Sequence, residues 1–129
     1  MGTEIILHED DDLRILQRSI LGRCVLSFQG PITFKARRPF QEAITKLRAG
    51  GCASLILHLT DGAFVDSVSL ALITITWRTW TAGGFMVVIA EPSPHVNDLL
   101  KLANITKLVP TFDSLQEAIS RLEAGAPLT

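Results

Sequence analysis

Two nearly unbroken apolar runs constrain the fold of this chain more than any other feature of its sequence. Residues 53–59 and residues 85–90 contain few polar side chains, and a glycine pair lies just before each run. Short apolar runs bounded by turn residues are typical of strands that are buried on both faces. Such strands occupy the middle of a parallel sheet. The sequence therefore predicts an α/β protein with a single sheet and helices packed on it.

The segment 67–82 joins the two runs and fits two kinds of secondary structure. Ile73, Ile75 and Trp77 alternate with polar residues, as in a half-buried strand. A helix instead collects one apolar stripe, formed by Leu70, Ile73, Thr74, Trp77 and Thr81. The segment is long for a strand, and neighbouring parallel strands need a crossover, so we predict a helix here. Trp80 falls outside the predicted stripe.

The other elements follow from turn residues and apolar periodicity. In chain order they are paired strands at 13–20 and 23–28, a break at Gly30-Pro31, a helix with Phe34, Phe40, Ala43, Ile44 and Leu47 on one face, a helix with Ser93 as cap and Pro94 at its first position, a strand at 108–111, and a last helix capped by Asp113 or Ser114. We therefore expect about five strands and about four helices.

The charges are unevenly distributed along the chain. The 129 residues have a net charge of −1, which gives no general electrostatic case for binding nucleic acid or an anionic membrane. Residues 1–12 nevertheless hold five acidic residues and no lysine or arginine. We read residues 1–12 as a solvated acidic arm, 13–124 as the folded domain and 125–129 as a tail.

No signal peptide and no membrane-spanning run is recognisable, which predicts a cytoplasmic protein without direct membrane insertion. Cys24 and Cys52 both lie beside apolar residues. They are interpreted as buried thiols of a reduced protein. Two cysteines without a histidine at ligand spacing do not make a metal site, so we expect no metal and no cofactor.

Sequence motifs of catalysis are missing as well. The chain has no phosphate-binding glycine loop and no Gly-x-Ser-x-Gly nucleophile motif. His8 is read as a surface residue, His58 as a hydrogen-bonded core histidine, and nothing in the sequence supports a Ser67–His58 pair. We therefore expect a protein that is not an enzyme.

The segment from residue 55 to residue 72 carries the most functional information. It runs from a buried strand through a turn into a helix that Asp66 or Ser67 would cap. A phosphate added to a hydroxyl in such a first helical turn is stabilised by backbone amides, and it changes the charge of the surface. The simpler interpretation from the cap chemistry alone is that these residues only cap a crossover helix.

This strand–turn–Asp-Ser–helix segment resembles the STAS domain, a family named for sulfate transporters and anti-sigma-factor antagonists. The resemblance continues through Gly83-Gly84, Pro92-Ser93-Pro94-His95-Val96 and 112–118, and upstream through Phe28-Gln29-Gly30-Pro31. It covers about residues 13–122. The resemblance implies a STAS fold and regulation by protein binding rather than catalysis.

The resemblance also implies where partners bind. Family members dock an anti-sigma factor or a related serine kinase at the start of the helix after Asp-Ser, and phosphorylation there switches binding off. The corresponding partner-binding residues of this chain are Thr33, Lys35, Asp66, Ser67, Val68, Ser69 and Leu70. Ser67 would cap the helix, while Val68 and Leu70 would supply apolar contact. Lys35, Arg37 and Arg38 form a second, basic candidate surface for an acidic partner or a phosphate, although a solvated helix start is the commoner explanation for such residues.

The chain departs from the family pattern at the positions of the phospho-switch. Val68 stands where the antagonist branch has its phosphorylated residue, and Ser69 replaces a glycine. His58 and Thr33 each replace an aspartate. The switch is therefore either lost, which we favour, or moved to Ser67 or Ser69.

Two further functions stay open at this point. Gly30-Pro31 and the altered phospho-site fit an accessory subunit that docks on the ATPase or permease of an ABC or sulfate-type transporter. The helix start at 66–69 could also bind a small anion or a nucleotide. The sequence leaves open whether the chain forms a homodimer.

Overall fold

The computed structural model describes residues 4–20, 23–59 and 64–123, and six strands of this part form one sheet in chain order. The strands are β1 (Ile5–Glu9), β2 (Arg14–Ile20), β3 (Arg23–Gln29), β4 (Ser54–His58), β5 (Met86–Ala90) and β6 (Thr111–Phe112). The helices are α1 (Arg37–Ala49), α2 (Ser67–Ala82), α3 (Pro94–Leu102) and α4 (Leu115–Glu123), with short 3₁₀ turns at Phe34–Ala36 and Ile105–Lys107. The predicted tail at 125–129 and the turn at 60–63 lie outside the described residues.

The two apolar runs form the central strands, as predicted. β1, β2 and β3 pair antiparallel, and β3, β4, β5 and β6 pair parallel. Leu57 of β4 lies between Leu26 and Ile89 of its two neighbours, and all three side chains are fully buried. The parallel arrangement requires helical crossovers, which α1 and α2 supply.

The core has one layer on each face of the sheet. Leu55, Leu57 and Ile89 belong to the layer under α1, α2 and α3, whereas Ile56 and Val88 belong to the layer under α4. This division follows from the strand geometry, in which successive side chains point to opposite faces. Both faces of β4 and β5 are therefore covered, which explains why their sequences do not alternate.

Helix α2 spans the predicted segment, and Ile73 is buried as predicted, with Leu70 and Trp77 partly buried against the same core, but the buried face is rotated from the predicted stripe. Its buried residues are Ser69, Leu72, Ile73, Thr76 and Trp80. Trp80 is thus a core residue, which corrects the predicted stripe. The Thr76 hydroxyl donates to the Leu72 carbonyl oxygen at 2.8 Å. Hydrogen bonds of this kind satisfy threonines inside a helix despite their preference for strands.

The acidic arm predicted at 1–12 is wrong for residues 5–9, which form the edge strand β1. The Asp10 carboxylate closes the turn into β2 by accepting hydrogen bonds from the amides of Leu13 at 2.8 Å and Asp12 at 2.7 Å. A hydrogen bond from His8, together with these amides, lowers the pKa of Asp10 to about 2. The acidic residues here belong to a turn rather than to a free arm.

Two other expectations are also corrected. The last strand covers Thr111–Phe112 instead of 108–111, because the Leu108 and Val109 amides both donate to the Ile105 carbonyl oxygen and extend the preceding turn. Cys24 and Cys52 form a disulfide with their Cα atoms 6.2 Å apart, which replaces the predicted pair of free thiols. Sequence proximity gave no hint of this pairing, since 28 positions separate the two residues.

Candidate functional site

The candidate site lies where β3 and β4 end and the helices α1 and α2 begin. This carboxyl edge of the parallel strands is where open α/β sheets most often bind their ligands. The Asp66 carboxylate holds the corner together. Its Oδ1 accepts from the Ser69 amide at 2.8 Å, and its Oδ2 accepts from the Phe34 amide at 2.7 Å. One side chain therefore caps α2 and fixes the turn before α1.

The backbone joins the same two segments. The Ile32 amide donates to the Phe64 carbonyl oxygen at 2.8 Å, and the Asp66 amide donates to the Ile32 carbonyl oxygen at 3.1 Å. Just before this corner, Gly30 has φ of +121° and passes close to the turn between β1 and β2, where a Cβ would lie only 2.1 Å from the Asp12 carbonyl oxygen. Glycine alone adopts this backbone without a clash. The corner is therefore a rigid support for the side chains it displays.

The electrostatics of the corner centre on Asp66. Burial of its carboxylate alone would raise the pKa. The hydrogen bonds donated by Ser69 and by the Phe34 and Val68 amides outweigh burial and hold the pKa of Asp66 below its usual value of 3.8. Asp66 is therefore ionised at neutral pH, and its charge is satisfied within the fold.

The structure brings most of the predicted partner-binding residues to this corner. Lys35, Ser67 and Val68 are exposed, with 41% of Val68 accessible. Thr33 and Leu70 are half-buried. The Thr33 hydroxyl oxygen accepts from the Lys35 amide at 3.4 Å and so belongs to the 3₁₀ turn.

The two phosphorylation candidates differ sharply in accessibility. Ser67 is exposed at the first position of α2, because Asp66 rather than Ser67 is the cap. Ser69 is 1% exposed, and its hydroxyl is turned into the protein. On the folded domain the Ser67 side chain is accessible to solvent, whereas the Ser69 hydroxyl is not.

Two aromatic residues of the site were not identified from the sequence. Phe34 is 62% exposed and Phe64 is 41% exposed, and both flank the Asp66 cap. We call Phe34, Phe64 and Val68 together the apolar tip. The apolar spacing predicted Phe34 on the buried face of the first helix, but Phe34 lies in the 3₁₀ turn before α1. The position of Phe64 two residues before Asp66 was a signal in the sequence, whereas no local pattern placed Phe34 beside it.

Basic residues lie beside the apolar tip. Lys35, Arg37 and Arg38 are all exposed. The contact of Arg38 with Glu42 is long, at 4.0 Å, and both side chains are largely in solvent. An exposed ion pair of this kind contributes little to stability. These cations are therefore available to a partner.

His58 lies at the end of β4 and makes contacts other than the pair considered with Ser67. Its Nδ1 is 3.1 Å from the Ser27 hydroxyl oxygen, and its Nε2 is 3.1 Å from Oε1 of Glu91. The other carboxylate oxygen of Glu91 accepts from the Leu115 amide at the start of α4. The group links β3, β4 and the residue after β5 to the start of α4. His58 is hydrogen-bonded, as predicted, but its side chain is 17% exposed, so it is a part-buried residue rather than a core residue.

Among the described residues, no helix combines the length and the apolar character needed to cross a membrane.

Comparisons with known proteins agree with this geometry. A sequence model of the STAS domain matches residues 14–118. The anti-sigma F factor antagonist of Paenibacillus polymyxa is 26% identical over 87 residues, which cover 67% of this chain and 72% of that protein.

Solved structures show the same fold. An anti-sigma factor antagonist from Mycobacterium paratuberculosis superposes with a TM-score of 0.76 at 23% identity, over 89% of this chain and 97% of that one. The murine anion transporter Solute Carrier 26 family member A9 superposes with a TM-score of 0.71 at 19% identity, over 95% of this chain but 22% of the transporter. The family match covers both segments of the site and the whole parallel sheet, and the chain belongs to the STAS domain family.

Proposed function

We propose that this chain is a non-enzymatic regulatory binding domain that acts as an anti-sigma-factor antagonist. Its partner is an anti-sigma factor or a related serine kinase, and it docks on the apolar tip. The observation that carries the proposal is the exposure of Phe34, Phe64 and Val68 around a rigid, capped helix start. Clusters of exposed apolar side chains on the surface of a soluble protein mark sites of protein binding. The curated relative from P. polymyxa carries the same role in its name.

Regulation of this chain differs from that of family members in which the residue after the Asp-Ser pair is phosphorylated, because that residue is Val68 here. Val68 has no hydroxyl, so no phosphate forms there, and its side chain adds apolar area to the contact instead. We propose that docking is constitutive with respect to this position. Ser67 is the exposed hydroxyl beside it and is the site at which a relocated switch would act.

Purified partner candidates test the docking surface. Val68→Asp places a charge on the apolar tip and should abolish binding in a calorimetric titration, whereas Val68→Ala should weaken binding only moderately. Both variants should keep the melting temperature of the parent, because the side chain is partly in solvent. Unchanged affinity of the Val68→Asp variant would rule out this surface.

Kinase assays test the regulation separately. Incubation with the partner kinase and ATP should leave the peptide that carries residues 67–69 unmodified in mass spectrometry. Val68→Ser restores a hydroxyl at the position and should make the peptide a phosphate acceptor. Phosphate on Ser67 of the parent protein would show that the switch has moved.

A second candidate function is an accessory subunit of a membrane transporter, docking its ATPase or permease through the same tip. The structural match to nearly the whole chain within an anion transporter favours it. Affinity purification that recovers transporter subunits with an unmodified tip, and no anti-sigma factor, would establish this second function over the first.

A further inference from the structure

A second exposed apolar strip runs from the apolar tip along α2. Val68 and Ile75 are seven residues apart and therefore lie on the same face of the helix, two turns from one another. Ile75 is 55% exposed, and Thr79 continues the face one turn further. Surface helices usually carry polar side chains on the side away from the core, whereas this side of α2 carries the exposed Val68 and Ile75.

This strip borders a groove between α1 and α2. The groove has a volume of about 290 Å³. Its lining includes Phe40, Ile44, Leu72, Ile75, Thr79 and Trp80. Phe40 and Trp80 are almost fully buried and form its floor, whereas Ile75 and Thr79 stand at the rim. The groove is thus concave, mostly apolar and continuous in sequence with the apolar tip through α2.

The two segments that flank the groove carry a charge opposite in sign to that of the whole chain, while the residues that line the groove are uncharged. Residues 34–49 and 67–82 hold six basic residues and one acidic residue, against a net charge of −1 for the full sequence. One of the six, Arg48, is engaged at the far end of α1, where its guanidinium lies over the ring of Phe85. Lys35, Arg37, Lys46 and Arg78 are exposed on these elements. A complementary occupant must carry acidic side chains.

The dimensions identify the kind of occupant. The part of α2 that lines the groove runs from Leu72 to Trp80, which is roughly 12 Å or about two turns of a second helix. Both walls are helices whose backbone groups are already paired, so an added strand would find no partners there. The apolar edge of an amphipathic helix fits a groove of this type. A flat membrane surface would not reach the floor.

We propose that the α1–α2 groove receives an amphipathic helix of the partner, with its apolar edge in the groove and acidic side chains facing Lys35, Arg37 and Arg78. This inference rests on the proposed docking function and extends it from the apolar tip to a second contact. The tip anchors one end of the partner, and the groove sets its direction along α2.

Nuclear magnetic resonance with the full ¹⁵N-labelled chain tests the groove. The probes are two stapled peptides of about 15 residues, long enough to hold a helix, with the same leucine spacing and either glutamate or lysine flanks. The acidic peptide should shift amides of α1 and α2 and saturate, and the basic peptide should not. Equal binding of both, or no shifts with either, would overturn the proposal.

Two matched variants sharpen the result. Ile75→Glu should weaken binding of the acidic peptide at least about tenfold. Leu102→Glu introduces the same charge at an apolar residue that is 81% exposed and does not line the groove, and it should leave binding unchanged. Shifts that appear only with phosphatidylglycerol vesicles would assign the surface to a membrane instead and would refute a helical partner.

Binding of the natural partner to the Val68→Asp and Ile75→Glu variants distinguishes this inference from the proposed function. Loss of binding with Val68→Asp but full binding with Ile75→Glu would leave the docking function intact and eliminate the groove. A partner that binds neither the parent nor its variants would refute the docking function, while the peptide titration would still decide what the groove accepts.

Discussion

The two ends of the layer formed by α1 and α2 differ in how far their large apolar side chains are exposed. At the carboxyl edge of the strands, three apolar side chains stand at least 41% in solvent around the Asp66 cap. At the opposite, amino edge, Trp80 is 2% exposed and Cys52 is 6% exposed. The Arg48 guanidinium covers the ring of Phe85 at 3.6 Å from its centroid, and the disulfide joins β3 to the residues before β4.

The difference separates stability from recognition within one pair of helices. The amino edge buries large side chains and carries the disulfide, and both features stabilise the domain. The carboxyl edge leaves apolar area exposed, which lowers the free energy only when a partner covers it. Substitutions at the two edges should therefore affect different measurements.

The largest effect on stability is expected at the amino edge. Trp80→Ala removes the largest fully buried side chain and should lower the free energy of unfolding by about 3–5 kcal/mol. Urea denaturation followed by circular dichroism measures this. Trp77→Ala is the control, since Trp77 is only half-buried and should cost less. Equal losses of unfolding free energy in the Trp80→Ala and Trp77→Ala variants would contradict the assignment of Trp80 to the core.

The disulfide should have the next largest effect. Reduction opens a loop with 28 positions between its ends, and this should lower the free energy of unfolding by about 2–4 kcal/mol. The Cys24→Ser/Cys52→Ser double variant should show the reduced stability with and without reductant. Detection of two reactive thiols in protein unfolded without reductant would contradict the disulfide and support the prediction of free cysteines.

The Asp66 cap belongs to the carboxyl edge and should have a smaller effect. Asp66→Ala should cost about 1–2 kcal/mol at neutral pH, because the Ser69 and Phe34 amides lose their acceptor. The folded pKa lies below the unfolded value, so the contribution of the charge is complete above pH 3.8 and disappears as the pH falls through the folded pKa.

Asp66→Asn keeps a hydrogen-bond acceptor and removes the charge, so it isolates the part that depends on pH. The stability gap between this variant and the parent should close on acidification below pH 3.8. A gap that stays constant across that range would show that the carboxylate does not titrate with a lowered pKa.

The smallest effect on stability is expected at the apolar tip. Phe34→Ser should change the free energy of unfolding by less than about 0.5 kcal/mol, because 62% of the ring is already in solvent. The same variant should weaken partner binding about tenfold or more in a titration. A large loss of stability would mean that Phe34 supports the fold and that the two edges do not divide the tasks as described.

The site was only partly predictable for a physical reason that Phe34 and Ser69 illustrate. The Asp-Ser pair before an apolar helix indicated the helix start, and the resemblance pointed to partner binding there. Phe34 fitted the apolar spacing of α1, yet the chain turns before the helix and leaves the ring outside. Ser69 fitted an exposed first turn, yet the rotation of α2 on the sheet buries it.

The sequence by itself determined the order of the elements from β2 onward, the two central strands and the start of α2. These follow from local patterns, in which the length of an apolar run, its period and its turn residues set the backbone conformation. Only the tertiary structure decided that residues 5–9 pair as an edge strand, that Cys24 meets Cys52, and that Ser27, His58 and Glu91 form one group. Each depends on which distant segments meet across the sheet, and no local period encodes that choice.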